Sequence, residues 1–231
     1  LFGDPKTFNP ITANETSSLD LIYLMFDGLV KKDHDTQELK PGLAESWTVD
    51  PDQKTWTFKL RRGLRWSDGH PLTADDVVFT FNDVVYNKAI PNVQADVLRV
   101  DGKDFAVTKV DDLTVRVVTP TVFAPFLEFF GDSVKIVPRH KLAAAVAEKR
   151  FESAYGVGTP PQELVCTGPF RLREFKPGEL ALLERNPYYW TVDSKGNQLP
   201  YLDNLVVVTL VDQNAISLRF LAGEVHVQEF V

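Results

Sequence analysis

The chain has one cysteine, Cys166, among 231 residues. No internal disulfide can form, so cysteine usage does not report the compartment. The thiol is followed by Thr167-Gly168-Pro169 and matches no cysteine-protease signature, so it reads as a small buried filler. No apolar run approaches the ~20 residues that cross a bilayer. The longest, Leu205 to Val211, is interrupted by Thr209. Positive charge is in the minority: 25 Lys and Arg face 32 Asp and Glu, a formal net charge of −7. Phosphate backbones repel such a chain, which removes nucleic acid from the expected partners.

Signatures of chemistry are also missing. The four histidines, His34, His70, His140 and His226, fall at no metal-ligand spacing. Asp33-His34-Asp35 lacks the glycine and closing glutamate of a calcium loop and reads as a solvated turn. No Gly-x-Ser-x-Gly elbow and no Gly-x-x-x-x-Gly-Lys phosphate loop occurs. No spacing pairs two carboxylates for acid–base work. No catalytic residue, metal site or cofactor is therefore expected.

What is present is an ordinary globular composition, 44% apolar and 25% charged. The length suffices for one large domain or two modest ones. After the turn-rich Asp4 to Pro10, the run Leu19 to Val30 carries Leu21, Ile22, Met25 and Phe26 at helical spacing. It predicts a helix closed by Gly28. Trp47 to Val49 predicts a short strand. Thr55 to Arg61 alternates strictly, with Trp56, Phe58 and Leu60 on one core-facing side of a half-buried antiparallel strand. Thr73 opens the clearest helix: Thr73 caps, Asp76 completes a capping box, and Leu72 can staple to Val77. Val77, Val78, Phe81, Val84 and Val85 form its apolar face. Residues 90–104 read as loop. Phe105–Lys109 and Leu113–Val117 read as a hairpin, with helices at about 123–130 and 139–150.

Glycine and proline crowd residues 156–169, the composition of a linker or domain crossing. A second hairpin is expected about Pro177-Gly178. The run Leu205–Val211 predicts a strand buried on both faces. A helix over Asn214–Ala222 and a strand over Val225–Phe230 would then make a strand–helix–strand order, typical of a parallel α/β sheet. The chain opens at Leu1 without an initiator methionine and stops beside that last strand. The expectation is a fragment whose natural chain continues past Val231.

Several segments, in order, resemble family 5 of the bacterial extracellular solute-binding proteins, the oligopeptide, dipeptide and nickel group. They are Phe8-Asn9-Pro10, Phe26-Asp27-Gly28-Leu29-Val30, Pro41 to Trp47, Trp56 to Arg61 and Trp66 to Val77. Further on come Thr167-Gly168-Pro169-Phe170, Arg185-Asn186-Pro187-Tyr188-Tyr189-Trp190, Leu199 to Asp203 and Ala222-Gly223-Glu224-Val225. The resemblance implies a mixed α/β, periplasmic-binding-protein-like type II fold that closes by hinge motion. On that pattern residues 1–30 and 166–231 form an incomplete first lobe with a mixed sheet. Residues 31–165 form an inserted α+β subdomain, and the second ligand-binding lobe lies beyond 231.

The resemblance further implies a periplasmic or extracellular protein, with or without a lipid anchor, and not an enzyme. It would capture peptides and deliver them to an ABC permease. Main-chain groups would grip the peptide backbone, as in strand addition. The cleft-lining segment maps onto Asn14, Glu15 and Thr16, with Thr167 and Gly168 near the cleft floor. Glu15 is a candidate partner for a peptide amino terminus. Ligand presentation to a sensor or chemoreceptor, and nickel, a metal chelate or another small solute as ligand, are the alternatives. As a fragment the chain is expected to be monomeric and to bind peptide weakly at most.

Overall fold

The first apolar run folds as helix α1, Thr16–Met25, and buries Ser18, Leu21, Ile22 and Met25. The structure is a computed structural model that describes residues 1, 3–33, 35–210 and 212–227, with Gln213 described by its backbone alone. Helix α1 ends at Met25, three residues before the expected Gly28. Phe26 is already extended (φ −129°, ψ 143°), and its N–H closes the last helical bond on the Ile22 carbonyl. Gly28 is there for packing: a Cβ would collide with the Gly131 carbonyl and lie 3.0 Å from that of Asp132. The backbone then enters strand β1, Val30–Lys32, antiparallel to β2, Leu39–Pro41. Of the Asp33-His34-Asp35 turn, His34 lies outside the described residues. The Asp33 carboxylate accepts from the Asp35 and Thr36 N–H groups.

Strands β3 (Ala44–Val49) and β4 (Thr55–Leu60) form the first half of an antiparallel four-stranded sheet. The stretch expected as loop holds a four-residue helix, Gln94–Val97, and a minimal hairpin, β5 (Arg99–Val100) with β6 (Lys103–Asp104). The predicted hairpin follows as β7 (Ala106–Asp111) and β8 (Thr114–Val118), completing the order β3-β4-β8-β7. Phe58 and Leu60 are buried as their alternation requires. Trp56 is half-buried and stacks on Phe126 at 4.5 Å.

A phenylalanine stack fills the space under this sheet. Phe81 lies on Phe130 at 3.9 Å and Phe126 on Phe130 at 4.9 Å, all three fully buried. Each buried ring is worth ~1.5–3 kcal/mol by area alone. Phe126 and Phe130 come from the segment expected to be helical at 123–130, which folds instead as a π-helical turn over Leu127–Ser133.

The capping box at Thr73 is formed. The Thr73 N–H donates to Asp76 Oδ2 (3.0 Å), and Thr73 Oγ1 accepts from the Asp75 N–H (3.3 Å). The α-helix Ala74–Val78 widens into a π-helical stretch, Phe79–Val85. Thr80 sits at that change: its hydroxyl donates to the Asp76 carbonyl (2.8 Å) and accepts from the Val137 N–H (3.0 Å), competing with the regular ladder. Asp76 Oδ1 also accepts from the Arg139 N–H (3.0 Å), fixing the start of the next helix, Arg139–Ala147. Thr73→Ala is expected to cost ~1 kcal/mol and Thr73→Ser a few tenths, read as the urea midpoint.

The second predicted hairpin is β9 (Phe170–Lys176) with β10 (Leu180–Arg185). Strand β11, Asn204–Val208, corrects the expectation for this region. It pairs antiparallel with β10, giving the order β11-β10-β9, and it is not buried on both faces. Leu205 and Val207 pack against the core while Val206 is 53% exposed. A continuous β-branched run suits a one-sided strand as well as a two-sided one, so periodicity could not separate them. All strand pairings among the described residues are antiparallel. Beyond β11 the chain meets Leu1, whose N–H donates to the Val208 carbonyl and whose carbonyl accepts from the Leu210 N–H. Val211 lies outside the described residues. The predicted helix at 214–222 is present as Gln213–Leu221. Of the predicted strand Val225–Phe230, residues 225–227 are irregular and 228–230 lie outside the described residues.

Candidate functional site

The loop carrying Asn14, Glu15 and Thr16 is held by a buried asparagine. Asn9 is fully buried; its amide donates to the Phe151 and Ala154 carbonyls (both 3.0 Å), and its Oδ1 accepts from the Ile11 N–H (3.0 Å). Ser18 Oγ, one turn into α1, accepts from the Lys6 and Thr7 N–H groups (3.0 and 3.1 Å). The chain is thereby folded back over the start of α1.

Glu15 is the N-cap of α1. Both of its carboxylate oxygens accept from the Ser18 N–H (3.1 Å each), and one also takes the Lys6 N–H at 3.3 Å. Burial works against the charge, but the Ser18 and Lys6 donors outweigh it and hold the carboxyl below the usual range. Its flanking residues, Asn14 and Thr16, are exposed.

Thr167 and Gly168 lie at the other end of the same helix, and both are buried. Their N–H groups donate to the Met25 carbonyl at 3.1 and 2.7 Å, satisfying a helix-terminal acceptor that α1 itself leaves open. Thr167 Oγ1 accepts from the Asp27 N–H (2.8 Å), and the Gly168 carbonyl accepts from Asn186 Nδ2 (2.9 Å). The ten residues of α1, at 1.5 Å each, separate this junction from Asn14–Thr16 by about 15 Å. The structure does not bring the two groups of site residues together.

The residues that sequence reasoning missed gather around Asp27. This carboxylate is buried, pairs with the Lys31 ammonium at 2.7 Å and accepts from Trp190 Nε1 at 2.9 Å. Lys31 also donates to the Tyr189 hydroxyl (2.7 Å), its nitrogen lying 5.1 Å from both the Tyr189 and Trp190 ring centres. The Arg61 guanidinium lies 4.3 Å from the Trp190 ring centre. Burial opposes the Lys31 charge, but Asp27 and the Tyr189 hydroxyl prevail and the amine titrates above its usual range. Asp27, Gly168, Asn186 and Trp190 all belong to motif segments legible in the chain, but nothing in their spacing says that they meet. Beside them opens a cleft of about 280 Å³, lined in part by Tyr23, Asp27, Lys31, Lys32, Asp132 and Lys135.

Cys166 is fully enclosed, and burial pushes its thiol up to about 12. The thiolate is the reactive form, so an alkylating reagent at pH 8 is expected to leave native Cys166 unmodified and to label it only on unfolding.

The family model for the "Bacterial extracellular solute-binding proteins, family 5 Middle" matches residues 38–231. The chain belongs to this family. A probable ABC transporter-binding protein of Deinococcus radiodurans is 33% identical to it over 95% of the chain and 38% of the relative's length. A periplasmic alpha-galactoside-binding protein of Rhizobium meliloti is 31% identical over 77% of the chain and 26% of its own length. The periplasmic oligopeptide-binding protein OppA of Haemophilus influenzae is 31% identical over 81% of the chain and 36% of its own length. Its structure in complex with the peptide RPPGFSPFR matches at a TM-score of 0.78 and 26% identity, over 96% of this chain and 43% of that one. The family 5 chain described here thus spans less than half of each relative. The periplasmic-binding-protein-like, mixed α/β fold class expected from the sequence holds. Among the described residues no helix is long and apolar enough to cross a membrane, and no group of His, Cys, Asp and Glu could hold a metal ion.

Proposed function

We propose that this chain is part of the peptide-capturing component of an ABC importer, working outside the cytoplasmic membrane and handing its ligand to a permease. The observation that carries this is the match to OppA in complex with a nonapeptide over nearly the whole chain. In this reading residues 1–30 and 166–231 belong to one lobe, 31–165 to an inserted subdomain, and a second lobe closes over the ligand. The role is binding, with no chemical step.

The candidate contacts take different parts. Asn14 and Thr16 are exposed at the positive end of α1 and meet the peptide backbone. Glu15 spends its carboxylate on Ser18 and Lys6 and holds that segment in place, while Thr167 and Gly168 anchor the far end of α1. A sugar or another small solute is the second reading, favoured by the Rhizobium meliloti relative and its name.

The test is native mass spectrometry of the natural full-length protein, purified without refolding. Extra mass that resolves on denaturation into a ladder of peptides is the expected result. A single sugar or other small molecule would move the substrate to the second reading. No retained mass, with no binding on titration with peptide libraries, would overturn the transport role in favour of ligand sensing.

A further inference from the structure

The cleft beside Asp27 is set apart by its charge. Three lysines, Lys31, Lys32 and Lys135, and two carboxylates, Asp27 and Asp132, line it, in a chain whose net charge is −7. Two of the lysines are already matched: Lys31 by Asp27 at 2.7 Å and Lys32 by Glu128 at 2.9 Å. Lys135 is not. Its side chain is only 10% exposed, yet its nearest carboxylate oxygen, on Asp132, is 3.9 Å away, beyond hydrogen-bond reach. Among the described residues its one hydrogen-bond partner is the Asp132 backbone carbonyl, at 2.8 Å. An ammonium carries three donors, and a buried one needs both charge compensation and hydrogen bonds.

We infer that this cleft is a binding site for a small oxyanion, a carboxylate or phosphate group, held by Lys135 with Lys31 and Lys32 at its rim. It is distinct from the Asn14–Thr16 segment, about 15 Å away at the opposite end of α1. The volume of about 280 Å³ lies at the lower edge of small-molecule sites, which suits a phosphate or a short carboxylic acid. The Tyr23 ring, its centre 5.2 Å from the Lys135 nitrogen, walls one side. Burial holds the Lys135 amine below its ordinary range, with Lys31 adding to the effect and Asp132 and Asp27 opposing it. A bound oxyanion would act against that burial, as Asp132 and Asp27 do.

Calorimetric titration with inorganic phosphate and with acetate, at ionic strength matched by sodium chloride, tests this directly. Saturable binding of at least one is expected. Lys135→Met should weaken it about tenfold or more, the scale of a lost charge-assisted bond. Asp132→Asn removes the competing carboxylate and should tighten binding, an effect of opposite sign that misfolding cannot imitate. Lys195→Met, at an exposed lysine elsewhere, should change nothing. Stronger binding of phosphate names a phosphate site, and stronger binding of acetate names a carboxylate site. No saturable binding of either anion, or affinity unmoved in both Lys135→Met and Asp132→Asn, would overturn the inference.

Discussion

Gly168→Ala is expected to cost about 4 kcal/mol or more, enough to leave the chain largely unfolded if its stability is typical. A Cβ on Gly168 would stand 2.6 Å from the Met25 carbonyl carbon, 2.7 Å from the Leu24 oxygen and 2.8 Å from the Met25 oxygen. All three are backbone atoms, so no side chain can swing aside to make room. Relief requires moving the end of α1 away from residues 167–168. That breaks the 2.7 Å bond from the Gly168 N–H to Met25 and the neighbouring Thr167 bond. It also strains the Asn186 amide bonded to the Gly168 carbonyl. Gly158→Ala is the control: a Cβ there has open space, and an effect within about 0.5 kcal/mol is expected. Urea unfolding of both variants decides the matter. Midpoints that coincide would mean the close approach at Gly168 is not a feature of the native fold.

The contrast between Gly28 and Gly168 shows what the chain revealed before its fold was known. Gly28 follows an apolar helical run and looks like a helix stop. The helix ends earlier, because the Met25 carbonyl accepts from the N–H groups of residues 167 and 168, about 140 positions away in sequence. Local pattern cannot report a cap supplied by a distant segment. Where partners are near in sequence the reading succeeded: the Thr73–Asp76 capping box and both hairpins are formed. Where the outcome depends on which neighbour a strand finds, it failed, as at β11. The candidate site divides the same way. Glu15 stands out as a carboxylate before a helix, but its role as N-cap depends on where α1 begins, three residues before the apolar run. The signal for Lys135 was available: a charged residue between Val134 and Ile136-Val137, in a stretch otherwise fit for burial. Its proximity to Lys31 and Tyr23 was not legible.

Asp27→Ala is expected to cost about 3 kcal/mol, more than Lys31→Met, although the two residues form one ion pair. Asp27 is 5% exposed and is the shared acceptor of the cluster. Removing it strands the Trp190 indole N–H beneath the Arg61 guanidinium and leaves Lys31 with only the Tyr189 hydroxyl. Removing one partner of a buried pair typically costs ~3–5 kcal/mol. The lower end applies here because Lys31, 34% exposed, can turn its ammonium towards water. Lys31→Met instead leaves Asp27 its bond from Trp190 and keeps an apolar stem under both rings, so a loss of about 1 kcal/mol is expected. Asp27→Asn retains an acceptor for Trp190 and should fall between the two. In a double-mutant cycle the pair should show a coupling of about 1 kcal/mol or more, since each single variant orphans the same bond. Additive losses in urea unfolding would show that Asp27 acts through Trp190 alone. The cluster would then be an indole anchor for the junction at residues 167–168, with Lys31 a bystander at its rim.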